Sequence, residues 1–96
     1  MDISNEHLGI IRALLKERVP GMEVRAFGSR VNGSAKPHSD LDIALMTSSP
    51  LSPSSMAQLK ATFSESDLPF KMDVLDWQTI SSAFKDLISQ RYEIIS

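Results

Sequence analysis

The amino-acid sequence predicts a small α/β (α+β) fold in which helices pack on a β-sheet. Segments with apolar residues at helical spacing alternate along the chain with short runs of strand-like composition. A chain of 96 residues buries enough surface for one core but not for two. No internal repeat and no long linker divides the pattern, so we expect one domain spanning residues 1–96.

The composition favours a soluble protein over a membrane, secreted or nucleic-acid-binding one. Hydrophobic residues make up 42% of the chain and charged residues 23%, which is ordinary for a soluble globular protein, and no apolar run approaches the ~20 residues of a membrane span. The N-terminus lacks the pattern of a secretory signal, and there is no cysteine. With a net charge of −2 and scattered basic residues, stable nucleic-acid binding is not expected. We expect a cytoplasmic protein.

The first third of the chain predicts a helix followed by a strand. Apolar residues recur every three to four positions from residue 4 or 5 to residue 18, and Pro20-Gly21 then ends the helix. Residues 23–27 alternate apolar and charged side chains, as a strand covered on one face does. This strand ends at Gly28, where an irregular connection begins.

The remainder of the chain predicts two more strands and two more helices in alternation. Strands are expected over residues 41–47 and 70–76, and the long connection between them leaves room for parallel pairing. A weak helix begins at Ser52-Pro53, and Asp76 is expected to cap a final helix. The apolar stripe of that last helix is the cleanest in the chain and consists of Ile80, Ala83, Phe84, Leu87 and Ile88.

Two carboxylates stand at the start of the second predicted strand. Asp40 and Asp42 are two residues apart, so in a strand their side chains leave the same face about 6.6 Å apart, at ~3.3 Å per residue. Such a pair can coordinate a divalent cation. The alternative is structural: Ser39-Asp40 caps a turn, and Asp42 is merely exposed at a strand end.

Asp73 interrupts the apolar run of the third predicted strand. A lone buried acid is costly, so it is expected to be paired or to bind a metal. If this strand lies beside the second, Asp73 faces the same pocket as Asp40 and Asp42, and three carboxylates form the oxygen-rich site that Mg²⁺ or Mn²⁺ prefers. The alternative is a solvent-facing position on an edge strand.

The Gly28-Ser29 pair directly after the first strand is a candidate phosphate-binding turn. Glycine lets the backbone approach a ligand closely, and the amide and hydroxyl of Ser29 can donate to phosphate oxygens, helped by a short helix if one begins there. Arg30 either reaches a triphosphate oxygen or is a solvated surface residue. Ser39 either fixes its loop or donates to a phosphate.

Taken together, Gly28-Ser29, Gly33, the run Ser39-Asp40-Leu41-Asp42, and Asp73 resemble the nucleotidyltransferase superfamily that includes DNA polymerase beta and the kanamycin nucleotidyltransferases. The resemblance covers nearly the whole chain. The small size is similar to that of the minimal nucleotidyltransferase antitoxins, which are paired with HEPN-domain ribonuclease toxins.

The resemblance implies a mixed three-stranded sheet with helices packed on it. It also implies two Mg²⁺ ions on Asp40, Asp42 and Asp73, and an ATP whose phosphates rest on Gly28 and Ser29. In the antitoxin family, AMP is transferred to a tyrosine of the toxin, within a hetero-oligomer. Two alternatives remain at this point. One is a non-catalytic antitoxin that neutralises its partner by binding, and the other is a small-molecule nucleotidyltransferase, which would need a dimer to supply the acceptor site.

Overall fold

A computed structural model describes all residues, 1–96. The elements alternate as the sequence predicts, with two short additions near the end of the chain. In order they are α1 (Asn5–Arg18), β1 (Val24–Phe27), α2 (Ser29–Asn32), β2 (Leu41–Leu45), α3 (Pro53–Ser64), β3 (Met72–Asp76), a 3₁₀ turn (Trp77–Thr79), α4 (Ser82–Gln90) and β4 (Glu93–Ile94). No helix combines the length and apolar character needed to cross a bilayer.

The sheet is mixed and has the strand order β3-β2-β1-β4. Strand β1 is antiparallel to both of its neighbours, whereas β3 runs parallel to β2, with α3 as the crossover between them. The predicted mixed α/β fold and the parallel pairing are therefore confirmed. The sheet has four strands rather than the predicted three, because Glu93 and Ile94 pair with the free edge of β1. A strand of two residues is too short to show alternation in the sequence.

Helices α1 and α3 supply the core on one face of the sheet. Their buried residues form one cluster with the strand side chains that point to this face. The cluster consists of Ile11, Leu15, Val19, Val24, Ala26, Leu41, Ile43, Leu45, Leu59, Phe63, Val74 and Ile95. The weakly predicted helix α3 is therefore an integral part of the core, and its bounds begin at Pro53 with Ser52 as the N-cap, as expected.

The opposite face of the sheet is only partly covered. Phe84 of α4 meets Phe27 of β1 edge to face, with ring centroids 5.9 Å apart. Arg25 lies between two aromatic rings, 5.7 Å from the centroid of Trp77 and 4.3 Å from that of Tyr92. This arrangement leaves the end of the sheet beside Phe27 open, which is where the candidate site lies.

Helix α4 begins later than the sequence predicts, and its apolar side is only partly buried. Its N-cap is Ser81 rather than Asp76. Of its predicted apolar stripe only Ile88 is buried, whereas Phe84 is 38% and Leu87 63% exposed. Periodicity shows only that the apolar residues share one side, and the sheet covers this side only in part, for example where Phe27 meets Phe84.

Asp76 has a larger structural role than a helix cap. Its carboxylate is buried and accepts hydrogen bonds from the hydroxyl of Thr47, the backbone N–H of Leu51 and the backbone N–H of Gln78. Burial alone would raise its pKa, but these hydrogen bonds outweigh burial and lower the pKa below its ordinary value. Asp76 thus joins the end of β3 to the segment that leads from β2 into α3.

Candidate active site

The structure brings Asp42 and Asp73 together at one end of the sheet. Asp42 in β2 is in register with Asp73 in β3 on one side and with Phe27 in β1 on the other. Because residues in register project to the same face of a sheet, both carboxylates lie on the open face. Asp42 is half-buried, while Asp73 and the neighbouring Asp40 are exposed. The geometric condition on which the predicted three-carboxylate site depended, that β3 lies beside β2, is met.

The surroundings of Asp42 raise the pKa of its carboxyl group. Burial raises its pKa from an ordinary 3.8 to about 6, and the charge of Asp73, a hydrogen bond with the Asp73 carboxyl and the charge of Asp40 add to the effect. The structure contains no group of three or more Asp, Glu or His side chains close enough together to coordinate one metal ion. The fit to a divalent cation rests instead on the mutual repulsion of these carboxylates, which a cation would relieve, and on their hard oxygen donors.

The stability of the cation-free protein is expected to fall as the pH rises from about 4 to about 6. In this window the folded state still holds the Asp42 proton, because its pKa is about 6 rather than 3.8, while the unfolded state has released it. The loss is expected to be about 1 kcal/mol once solvent screening of a half-exposed group is allowed for. Urea unfolding of the wild type and of Asp42→Asn across this range isolates the effect. The same pH profile in both proteins would contradict it.

The backbone of Gly28 packs against the side chain of Asp42. Its φ of 83° and ψ of −156° are accessible only to glycine, and a Cβ built on it would overlap the Oδ2 atom of Asp42. The short helix α2 follows immediately, and the Gly28 carbonyl accepts hydrogen bonds from the amides of Val31 and Asn32. The turn between β1 and α2 therefore lies directly beside the carboxylates, with the Ser29 amide at the start of a helical turn.

A Gly28→Ala substitution is expected to lower both the stability and the activity of the protein. The left-handed backbone and the overlap with Asp42 together are expected to reduce the free energy of unfolding by about 2–3 kcal/mol. Gly21→Ala is the matched control, since Gly21 also has a positive φ, 74°, but nothing lies within 4 Å of its Cβ position. Thermal melts compare the two variants. Equal losses in both would show that the contact with Asp42 contributes nothing.

Arg30 is neither a solvated residue nor free to bind a triphosphate. It is 7% exposed, and its guanidinium donates from Nε to the Ser39 carbonyl (2.9 Å), from Nη1 to the Asp2 carbonyl (2.9 Å) and from Nη2 to the Pro37 carbonyl (3.3 Å). The irregular loop before β2 has carbonyls without strand partners, and a buried arginine satisfies several of them at once. We therefore assign Arg30 to positioning Asp40 through its loop.

Ser39 also fixes this loop. Its hydroxyl accepts a hydrogen bond from the Lys36 amide at 2.9 Å, which is one of the two roles expected from the sequence. Gly33 ends α2 in a left-handed conformation with a φ of 84°. The connection from α2 to β2 is thus held by internal bonds, so that the Asp40 backbone enters β2 at a defined position.

Two cavities flank the carboxylates on opposite sides. On the β1 side, a cleft of about 290 Å³ is lined by Phe27, Gly28 and Asn32 together with α4. On the β3 side, a larger cavity of about 550 Å³ reaches from Asp40 and Asp73 to the end of α3. Lys60 lines this second cavity, and sequence reasoning missed it, because a lysine on the polar side of a helix carries no sequence signal of its own.

The family of the chain follows from sequence comparison. Residues 10–96 match the family described as Polymerase beta, Nucleotidyltransferase, so the chain belongs to this family of nucleotidyltransferases. Among its relatives is the probable protein adenylyltransferase MntA of Haemophilus influenzae. The two are 46% identical over 95 residues, which cover 99% of this chain and 83% of the relative.

Solved structures share the fold. A toxin–antitoxin structure with AMP-PNP matches with a TM-score of 0.78 at 22% identity, over 97% of this chain and 73% of that chain. A tri-AMPylated Shewanella oneidensis HEPN toxin in complex with its MNT antitoxin matches with a TM-score of 0.74 at 18% identity, over 98% of this chain and 72% of that chain. These likenesses confirm the predicted nucleotidyltransferase fold.

Proposed function

We propose that this chain is a divalent-cation-dependent protein adenylyltransferase and the antitoxin of a toxin–antitoxin pair. It transfers AMP from ATP to a tyrosine of a HEPN-type ribonuclease toxin. The observation that carries the proposal is the placement of Asp42 beside Asp73 on one side and against the Gly28 turn on the other, in a chain 46% identical to a probable protein adenylyltransferase. Residues 1–96 act as a single domain, which works in the cytoplasm where ATP is abundant.

Asp40, Asp42 and Asp73 are the residues that hold the cations, which we propose to be two Mg²⁺ ions, with Mn²⁺ as a substitute. When bound, such ions lower the pKa of an attacking hydroxyl and neutralise the leaving pyrophosphate. Asp42 lies on the strand between β1 and β3, so its carboxylate would hold a cation between the Gly28 turn and Asp73. Its raised pKa means that protons compete with cations at this site below about pH 6.

Gly28 and Ser29 receive the triphosphate. The backbone at Gly28 has no side chain to block approach, and the Ser29 amide and hydroxyl donate to phosphate oxygens. The apolar cleft beside Gly28, lined by Phe27 and α4, is open to the nucleoside of the same ATP. The donor nucleotide therefore lies on the β1 side of Asp42.

The reaction joins the acceptor oxygen to the α-phosphorus of ATP. The bond between that phosphorus and the pyrophosphate oxygen breaks, pyrophosphate leaves, and the hydroxyl proton passes to solvent or to a carboxylate of the site. The toxin then carries a bulky anion. At a site that binds RNA phosphates, this anion blocks access sterically and by like-charge repulsion, which inactivates the ribonuclease.

The test combines the protein with its HEPN-type partner, ATP and Mg²⁺, followed by the intact mass of the partner. We expect the partner to gain AMP with the wild type, but not with EDTA and not with the Asp40→Ala/Asp42→Ala variant. A partner whose mass stays unchanged with the wild type, or still rises with the double variant, would rule out the proposed reaction.

A second candidate is an antitoxin that acts by binding alone. The exposed apolar side chains Phe84 and Leu87 on α4 favour it, because such residues are often covered by a partner. The Asp40→Ala/Asp42→Ala variant separates the two candidates. If it still suppresses the ribonuclease activity of the partner without nucleotide, binding is sufficient.

A further inference from the structure

Arg25 joins the two ends of the α4 segment to the sheet. Its guanidinium carbon lies 5.7 Å from the centroid of the Trp77 ring and 4.3 Å from the centroid of the Tyr92 ring. Trp77 begins the 3₁₀ turn that precedes α4, and Tyr92 follows the end of α4 by two residues. One side chain of β1 therefore contacts the chain on both sides of the helix.

A hydrogen bond holds this guanidinium in place. The Nε atom of Arg25 donates to the Glu23 carboxylate at 2.6 Å, and the Arg25 side chain is 21% exposed. Because the guanidinium is planar, a bond at one edge leaves its faces free to stack on aromatic rings. Cation–π contacts of this kind are stronger when the cation is partly removed from water.

Few other contacts hold α4 to the sheet. Ile88 is the only buried residue of the helix. Phe84 meets Phe27 edge to face but stays 38% exposed, and Leu87 is 63% exposed. Arg25 and Phe27 are two residues apart on β1, so both side chains lie on the face of the sheet that α4 partly covers. The two ring contacts of Arg25 are thus a large share of what fixes the position of α4.

Helix α4 forms one wall of the cleft of about 290 Å³ beside Gly28. The α4 residues that line this cleft are Phe84, Leu87, Ile88 and Gln90. The proposed function places the nucleoside of ATP in the cleft and the triphosphate on the Gly28-Ser29 turn, which lies between β1 and α2. A displacement of α4 would therefore open the nucleoside end of the site without changing the phosphate end.

We infer that Arg25 is a positioning residue that holds α4 against the nucleoside of ATP. Without the guanidinium, α4 occupies its cleft-forming position for a smaller fraction of the time, and the apparent affinity for the nucleotide falls by the same fraction. Two partly exposed cation–π contacts correspond to about a tenfold change in that fraction. The inference rests on the proposed function, to which it adds a residue outside the carboxylates and the phosphate turn.

The test measures equilibrium binding of two ligands, ATP and inorganic tripolyphosphate, each with Mg²⁺. Tripolyphosphate has no nucleoside and needs only the phosphate end of the site. Arg25→Met keeps the apolar stem of the side chain and removes the guanidinium. We expect it to raise the Kd for ATP about tenfold and to leave the Kd for tripolyphosphate unchanged. In AMP transfer to the partner, the KM for ATP is expected to rise by the same factor, with kcat at saturating ATP unchanged.

Two further variants separate the ring contacts from a general effect on the surface. Tyr92→Leu removes one of the two rings and is expected to raise the Kd for ATP severalfold. Because both substitutions remove the same contact, the double variant Arg25→Met/Tyr92→Leu is expected to differ little from Arg25→Met alone. Arg18→Met is the matched control, since Arg18 is an exposed arginine at the end of α1, and it is expected to bind both ligands as the wild type does.

An unchanged Kd for ATP in Arg25→Met would overturn the inference and leave the proposed transfer of AMP intact. A parallel rise in the Kd for tripolyphosphate would also overturn it, because Arg25 would then support the whole fold rather than the nucleoside end of the site. The binding measurements do not depend on transfer, so a wild type that transfers no AMP would count against the proposed function alone.

Discussion

The Asp42→Asn variant is expected to lose AMP transfer by at least about 10³-fold while its fold becomes slightly more stable without cations. The loss follows because a neutral amide replaces a carboxylate at the centre of the proposed cation site. The gain follows because the charged form of Asp42 is disfavoured in the fold, where burial and two neighbouring acids raise its pKa to about 6. Above that pH, removal of the charge is expected to add about 1 kcal/mol to the free energy of unfolding.

Two measurements on the same protein check this result. Intact mass of the partner reports transfer, and thermal unfolding with and without Mg²⁺ reports stability. The wild type is expected to gain stability on Mg²⁺ addition, whereas Asp42→Asn is not. Asp86→Asn is the control, because Asp86 is an exposed carboxylate on α4. Retained transfer in Asp42→Asn would show that the reaction does not need this carboxylate. A variant less stable than the wild type in EDTA would show that Asp42 has a structural role instead.

The second large effect is expected at Asp76 and concerns folding. Replacement by alanine removes the acceptor for the Thr47 hydroxyl and for the backbone amides of Leu51 and Gln78. Buried donors left without acceptors are costly, so the free energy of unfolding is expected to fall by about 2–4 kcal/mol. In a domain of this size the change corresponds to a decrease in Tm of at least about 10 °C.

The comparison for Asp76→Ala is Asp67→Ala, which removes an exposed carboxylate and is expected to leave Tm nearly unchanged. Asp76→Asn is expected to be intermediate, since it keeps one acceptor oxygen but turns an amide donor towards other donors. Because the folded-state pKa of Asp76 is lowered, its contribution is present above the ordinary pKa of a carboxyl and is lost as the pH falls through the folded value. A Tm for Asp76→Ala equal to that of Asp67→Ala would contradict this account.

The pairing of Asp42 with Asp73 was predictable from sequence because its signal is mostly local. Asp40 directly precedes β2 and Asp42 lies within it, and the length of the connection to the next strand permits the parallel pairing that brings Asp73 opposite Asp42. The Gly28 turn is also local, since it is defined by one residue whose backbone only glycine adopts.

The roles of Arg30, Asp76 and α4 were not predicted because they depend on contacts with residues that are distant along the chain. Arg30 follows the phosphate-binding turn and resembles a ligand-binding residue, but its guanidinium is bonded to carbonyls whose directions are set by an irregular loop. Asp76 is predicted to cap the last helix but caps the 3₁₀ turn instead, and two of its three donors lie more than 20 residues away. For α4, the pattern identified the apolar side but not that Phe84 and Leu87 on this side stay exposed.

The position of the only tryptophan gives the protein a built-in optical reporter. Trp77 follows Asp76 directly, and its ring lies 5.7 Å from the Arg25 guanidinium and 5.6 Å from the Lys85 ammonium. Indole emission responds to nearby charge, so a change in how α4 and the 3₁₀ turn sit on the sheet alters its wavelength or intensity. Fluorescence of the unlabelled protein can therefore follow unfolding of the Asp76 variants and docking of a partner against α4, in the same cuvette and without an attached dye.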